Sequence, residues 1–268
     1  MRLIRAAFTA LPVLVLAACD DLSTDVQEVK YGVITVVAET AVGGSGFVTS
    51  PVGLFYVAGA GPLPDSKSTT DFCRIDPYNP GPAPQPQVQN INAGPSITFR
   101  KGPTVESMAP VPQGNVTNYI LTQSVPFVPG EVVTFEIPGA EGGFPSSAAT
   151  TNTAPALIFE GVDAEPENGT PLTVRWNAGD DSSRVEIALR YATNGSPTLN
   201  ELIYCQVADD GEHTITDGLL GGWRSATEDN RETAANRFRT HLQVIDDAAL
   251  LVYSVAQATI PINAPANP

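Results

Sequence analysis

A strict two-residue alternation in the second half of the chain limits what it can fold into. Val185, Ile187, Leu189 and Tyr191 alternate with Arg184, Glu186, Ala188 and Arg190, and Leu172, Val174 and Trp176 alternate with Thr173, Arg175 and Asn177. A period of two places one set of side chains in a core and the other in water, which is the signature of a strand. Phe238, Leu242 and Val244 alternate likewise with Arg237, Arg239, His241 and Gln243. The apolar set is expected inside, and the charged set, with His241, in solvent. Segments 156–160, 202–207, 212–216 and 250–258 bring the second half to about seven strands. The first half shows the β-branched run Val33-Ile34-Thr35-Val36-Val37 and shorter candidates at 46–49, 54–57, 71–75, 87–91, 96–100, 117–122 and 132–137. The 23 glycines and 24 prolines of the 268 residues separate these runs and leave little room for long helices. The expectation is all-β, with two β-sandwich-like domains at 30–138 and 156–262. Residues 139–155, small and without hydrophobic period, read as the linker, and 263–268 as a tail.

The N-terminus carries an address. Arg2 and Arg5 precede an apolar run from Ala6 to Ala18 that ends in Leu16-Ala17-Ala18-Cys19. The run is too short to span a bilayer and has the length of a signal-peptide core. Leu-Ala-Ala-Cys resembles the lipobox of bacterial lipoproteins. That resemblance implies removal of residues 1–18, diacylglycerol and an acyl chain such as palmitate on Cys19, and a short polar tether over 19–29. Two or more chains anchor a protein stably. The location implied is the cell envelope, at the periplasmic face of a membrane or at the cell surface. Asp20 resembles an inner-membrane retention signal. Loss of Arg2 and Arg5 would take the net charge from −15 to −17. A chain this acidic repels nucleic-acid phosphates, while 42% hydrophobic and 16% charged residues exclude general disorder.

The second half, with Trp176 on an early inward face, looks like an immunoglobulin- or fibronectin-III-like sandwich. The chain as a whole resembles uncharacterised two-domain lipoproteins of environmental bacteria. It does so through the lipobox, Cys73 in a β-rich first half, Trp176, and the turn Cys205-x-x-x-Asp209-Asp210-Gly211. No activity is implied by that resemblance.

Catalytic patterns find little support. Gly44 to Ser50 resembles an early strand of trypsin-like serine proteases, yet no His follows it. The two imidazoles, His213 and His241, both lie in the other half, so a serine nucleophile there has no base. Neither His has a second His at ligand spacing, which argues against zinc. No Gly-rich loop leads into Lys-Ser/Thr, which argues against a phosphate loop. The reading is therefore non-enzymatic. A hydrolase using scattered carboxylates is the weaker alternative.

Four further features invite expectations. The prolines at 77, 80, 82, 84 and 86 suggest a polyproline II connection between sheets rather than a presented ligand. Cys205 alternates in phase with Ile203 and Val207, which favours a buried thiol there, and a separate thiol at Cys73, over a bridge. Trp223, within a long connection 218–234, could anchor a sugar or protein partner or plug the end of the sandwich. With strand directions alternating from 156, the turns holding Asp180, Asp181, Asp209, Asp210, Asp246 and Asp247 would share one end. A hard cation such as Ca²⁺ would relieve their repulsion. The functional expectation is a membrane-anchored envelope lipoprotein with a non-catalytic binding or structural role. A carbohydrate-binding role is the alternative, and an envelope protein or polysaccharide the partner. Ordered aromatics on one open sheet face would favour sugar. Cells fed labelled palmitate should label the wild-type protein and not Cys19→Ala; an unlabelled wild type would refute the lipoprotein reading.

Overall fold

The computed structural model describes residues 29–40, 46–58, 71–79, 88–162, 169–193, 195–258 and 260. The signal sequence, Cys19, Asp20, Gly44, Ser45, most of the proline-rich stretch and the tail lie outside them. The first half supplies β1 (Val29–Val37), β2 (Glu39–Thr40), β3 (Phe47–Thr49), β4 (Val52–Ala58), β5 (Phe72–Pro77) and β6 (Gln89–Asn90). It continues with β7 (Ile97–Lys101), β8 (Thr104–Gln113), β9 (Val116–Leu121), β10 (Val125–Phe127), β11 (Val132–Ile137) and β12 (Ser147–Asn152). The second half adds β13 (Phe159–Val162), β14 (Leu172–Trp176), β15 (Ser183–Tyr191), β16 (Glu201–Ala208), β17 (Glu212–Ile215), β18 (Arg231–Ile245) and β19 (Ala248–Ala258). One short helix, α1 (Asp217–Ser225), interrupts them. The chain is all-β, as expected.

The two halves share one sheet. Among the described residues, thirteen strands join in the order β12-β11-β7-β8-β9-β4-β1-β19-β18-β15-β16-β5, with β6 beside β4. The centre of this sheet is a parallel pairing of β1 with β19, Lys30 opposite Ala248 through Val37 opposite Val255. β5, from the first half, closes the far edge beside β16. Two three-stranded sheets, β10-β3-β2 and β13-β14-β17, complete the layers. They cover one face of the large sheet over two separate cores. The first core gathers Ile34, Val36, Phe55, Phe99, Phe135 and Phe144 with Leu250 and Val252 of β19. The second gathers Trp176, Val185, Ile187, Leu189, Ile203 and Trp223. Gly32 is required at the centre, because a Cβ there would meet the Phe55 ring at 2.7 Å and Leu250 at 2.9 Å.

The expected linker is a built element. Residues 147–152 form edge strand β12 against β11, and Phe144, Ala149, Thr153 and Ala154 are buried. Small residues there allow close packing on the sheet rather than freedom. The Thr153 hydroxyl donates to the Val128 carbonyl at 2.6 Å, and the Ala154 amide donates to Ser254 Oγ at 2.8 Å. Asn177 Nδ2 donates to the Ala156 carbonyl at 3.0 Å, and the Ile158 amide donates to Asn177 Oδ1 at 2.7 Å.

β18 reverses the expected polarity. Arg237 is fully buried, while Phe238 and Leu242 are only half-buried and Val244 is 59% exposed. The charged set thus faces the covered side, His241 with it, and the apolar set faces the open side. The reason is an ion pair. Arg237 Nε lies 2.7 Å from Asp209 Oδ2, both side chains being fully buried. Trp176 Nε1 donates to Asp209 Oδ1 at 3.0 Å, and Arg237 also donates to the carbonyls of Ala156, at 2.5 Å, and Asn177. Breaking one partner of such a pair leaves a buried uncompensated charge, at a cost of about 3–5 kcal/mol. Denaturant unfolding of Asp209→Ala should show a loss of that order. Replacing Asp209 and Arg237 together by apolar residues of similar volume should cost clearly less, and equal losses would refute the account.

Candidate functional site

The open side of the large sheet is one continuous surface, because pairing registers place matched residues on the same face. On its β1–β19 part Tyr31, Ala249 and Leu251 are buried, with Tyr56, Leu242 and Tyr253 packed against them. From the β5 edge it presents Phe72 and Arg74, then Tyr204 and Gln206 of β16, and Glu186 of β15. Asn236, Phe238 and Thr240 of β18 follow, then Tyr253 and Val255 of β19, Thr35 and Tyr31 of β1, and Tyr56 of β4. At the middle lies a shallow hollow of about 380 Å³, lined by Thr35, Glu186, Gln206, Asn236, Phe238 and Tyr253 among others.

Aromatic rings flank the hollow on both sides. Tyr31 and Tyr56 stack with centroids 5.5 Å apart. At the other side Arg74 lies 5.1 Å from the Phe72 ring and 5.2 Å from the Tyr204 ring. The Tyr204 hydroxyl donates to Glu186 Oε1 at 2.6 Å. Burial first, and the Glu186 carboxylate second, push the Tyr204 hydroxyl well above its usual range, so it stays protonated as a donor. Burial likewise raises Tyr253 and Tyr56. Among the described lining residues, Glu186 is the one carboxylate. Another hollow, lined by Asn90, Asn92, Pro110 and Tyr119 among others, has none among the described residues. Among the described residues, neither lining holds the carboxylate pair that glycoside hydrolysis requires.

The expected aspartate cluster does not form. Asp209 is consumed by Arg237 and Trp176. Asp180 pairs with Arg239 and accepts from the Ser182 amide at 3.0 Å. Asp181 and Asp210 are exposed turn residues. Asp246 and Asp247 close the β18–β19 hairpin, where Asp247 pairs with Lys30 at 2.9 Å. They lie seven residues along β18 from Arg239, roughly 23 Å at the rise of a strand. Strand length defeats the expectation: β18 and β19, at 15 and 11 residues, carry their turn out over the first core. Among the described residues these aspartates offer no Ca²⁺ site.

Trp223 is a plug and not an exposed anchor. It is fully buried on α1, with Leu220 one turn earlier, and the Arg231 guanidinium lies 4.5 Å from its ring centroid. The cysteines are also corrected. Cys73 and Cys205 stand directly opposite each other in the β5–β16 pair and form a disulfide, with Cα atoms 4.1 Å apart. The phase of Cys205 was legible and it is fully buried, but β5 delivers Cys73 to the same face. His213 Nε2 lies 3.3 Å from Cys73 Sγ. Burial pushes the His213 imidazole below its usual range, against the opposing pull of Asp71 and Asp210. This cluster had no signal in residue spacing, since its members lie on three strands up to 140 residues apart.

No family model matches the chain, and no curated protein does. Among solved structures, it is similar to a DUF4785 family protein from Legionella pneumophila at 8% identity and a TM-score of 0.25. That match covers 71% of this chain and 48% of the other, so the chain spans about half the length of that structure.

Asp180 carries a pH prediction. Burial works against its ionisation, but hydrogen bonds from Ser182 and Arg239 outweigh this and hold its carboxyl at about 2. A depressed carboxylate stabilises the fold above its unfolded value, roughly 3.9, and that contribution is lost as pH falls towards the folded value. Melting curves of wild type and Asp180→Asn should differ at pH 6 and converge as pH falls through 4 towards 2. A gap unchanged over that range would refute the assignment.

Proposed function

We propose that this chain is a lipid-anchored envelope protein with a non-catalytic binding role, and that its ligand is an uncharged polysaccharide lying across the open sheet face. The observation that carries the reading is the inverted strand β18. It spends its inner face on Arg237 and Arg239 and turns Phe238, Leu242 and Val244 outward. Leu242 packs there against Tyr31, Ala249 and Leu251, but Phe238 is only half-buried and Val244 is exposed. Apolar residues left open in this way break the local rule of burial, and such breaches concentrate at functional sites. The neighbouring groups supply what a sugar chain needs. Flat rings offer stacking for its apolar faces, and Asn236, Gln206, Thr35 and Thr240 offer neutral donors and acceptors for its hydroxyls. Phe72 on β5 and Tyr56 on β4 lie six inter-strand steps apart, roughly 29 Å at 4.8 Å per step, which suits a polymer better than a small molecule. The net charge of −15 disfavours polyanions.

The lipobox at Cys19 supports the anchor, and the three-against-four strand order of the second half, β13-β14-β17 over β19-β18-β15-β16, supports an immunoglobulin- or fibronectin-III-like unit. The test is co-sedimentation of the protein with insoluble neutral and anionic cell-wall polysaccharides. Tyr253→Ala and Asn236→Ala should each weaken binding of a neutral polymer at least tenfold, while Val105→Ala, an exposed position on β8, should leave it unchanged. Binding that is indifferent to Tyr253 and Asn236, or self-association of the protein in place of polymer binding, would overturn the reading.

A further inference from the structure

We propose that Cys73, Cys205 and His213 form a redox-gated site for a thiophilic metal ion, closed as a disulfide and opened by reduction to hold Zn²⁺. This inference does not rest on the polysaccharide reading, because it is argued from other side chains, those of the covered face. Their ligand atoms, the two sulfurs and one imidazole nitrogen, all lie within 4.8 Å of one another. Among the described residues no other group of three such ligands converges so closely. Three strands fix the positions: β5 and β16 set the sulfurs opposite each other, and β17 brings His213 Nε2 to 3.3 Å from Cys73. Two thiolates and one imidazole are a recognised ligand set for tetrahedral zinc that leaves its fourth position to water. The softness of the sulfurs selects such an ion over Ca²⁺ or Mg²⁺.

The gate is the S–S bond. Cys205 is fully buried, whereas Cys73 is half-buried on β5, which pairs only with β16 among the described residues. A dithiol reductant therefore attacks Cys73 Sγ as its thiolate. The S–S bond breaks, Cys205 leaves as a thiolate, and a mixed disulfide forms on Cys73. The second thiol of the reductant then attacks its own sulfur in that mixed disulfide and releases Cys73, so two electrons pass to the protein and the reductant leaves as a cyclic disulfide. Zn²⁺ binding displaces the protons of the two thiols to solvent, and His213 donates its Nε2 lone pair. A disulfide oxidant reverses the sequence: it takes up the two electrons and leaves as its dithiol, and re-forming the S–S bond expels the ion.

The test uses the full chain carrying Cys19→Ser, so that Cys73 and Cys205 are its two cysteines. Oxidised and dithiol-reduced samples are freed of reductant without air and titrated with Zn²⁺ against a chromophoric chelator. Co²⁺ serves as a spectroscopic stand-in, and tryptophan fluorescence reports the buried Trp176 and Trp223. The expected result is one Zn²⁺ per reduced chain and none per oxidised chain, with thiolate-to-cobalt absorption in the reduced sample. Affinity should fall at least tenfold in His213→Ala and in Cys73→Ser. Native-like fluorescence with no zinc bound, equal affinity in His213→Ala, or loss of the native fluorescence on reduction would each overturn the proposal.

Discussion

The parallel seam between the first strand and the last holds this molecule together. The inward row of β19 runs Ala248, Leu250 and Val252 into the first core. It then presents Ser254 to the crossing segment, and ends with Ala258 and Ile260 beyond it against the second core. Its hairpin partner β18 spans the same three regions, with Ala235 in the second core, Arg237 on the Ala156 carbonyl of the crossing, and Ile245 against the first core. Because β1 pairs alongside β19, the sheet of the first half grows directly from that of the second. Such contacts join distant parts of the chain, so their loop-closure entropy must be met before either core is complete. Separating the halves at residue 155 would leave β1 without its parallel neighbour and β16 without β5.

The seam brings a problem that the buried Arg237 answers. Where one core ends and the other begins, a covered sheet face has no apolar layer to meet. The segment from Thr153 to Ile158 crosses there with its backbone polar groups exposed to the interior, and each must find a partner. Arg237 reaches three segments at once through Ala156, Asn177 and Asp209. Its net contribution to stability is small against the desolvation it suffers. Its effect is on register, since one position of β18 satisfies all three segments together. Gly179 shows how closely Asp209 is held: a Cβ there would stand 1.9 Å from its Oδ2.

Alternation was legible wherever a strand faces core on one side and water on the other. β14, β15 and β16 follow it residue by residue, and the all-β class with them. It misled at β18 because both assumptions fail there: the covered side needs a charge, and the open side carries rings. Composition misled at 139–155, where small residues signal close packing as readily as freedom. The connection expected over 218–234 holds α1, whose Leu220 and Trp223, three apart, close the second core. Pairings between remote strands were beyond the sequence. Nothing in 71–77 names β16 as its neighbour, so the disulfide, the approach of His213 and the aromatic group of Phe72, Arg74 and Tyr204 were all hidden together.

Those three hidden features have one cause. β5 is an edge strand six residues long, and an edge strand this short is weakly specified in register. A slip of one residue would carry Phe72 and Arg74 to the covered side and Cys73 to the open one. The disulfide to Cys205 closes a separation of 132 residues and permits one register only. In the chain-entropy picture a loop of that size is worth roughly 5 kcal/mol. The bond on the covered face thereby sets the rings on the open face, where Arg74 bridges Phe72 and Tyr204 and Tyr204 holds Glu186. The order of the open face at this edge is thus a consequence of sulfur chemistry on the other side of the sheet. It depends on a single alternation of side chains, the same rule that reads the strands from sequence.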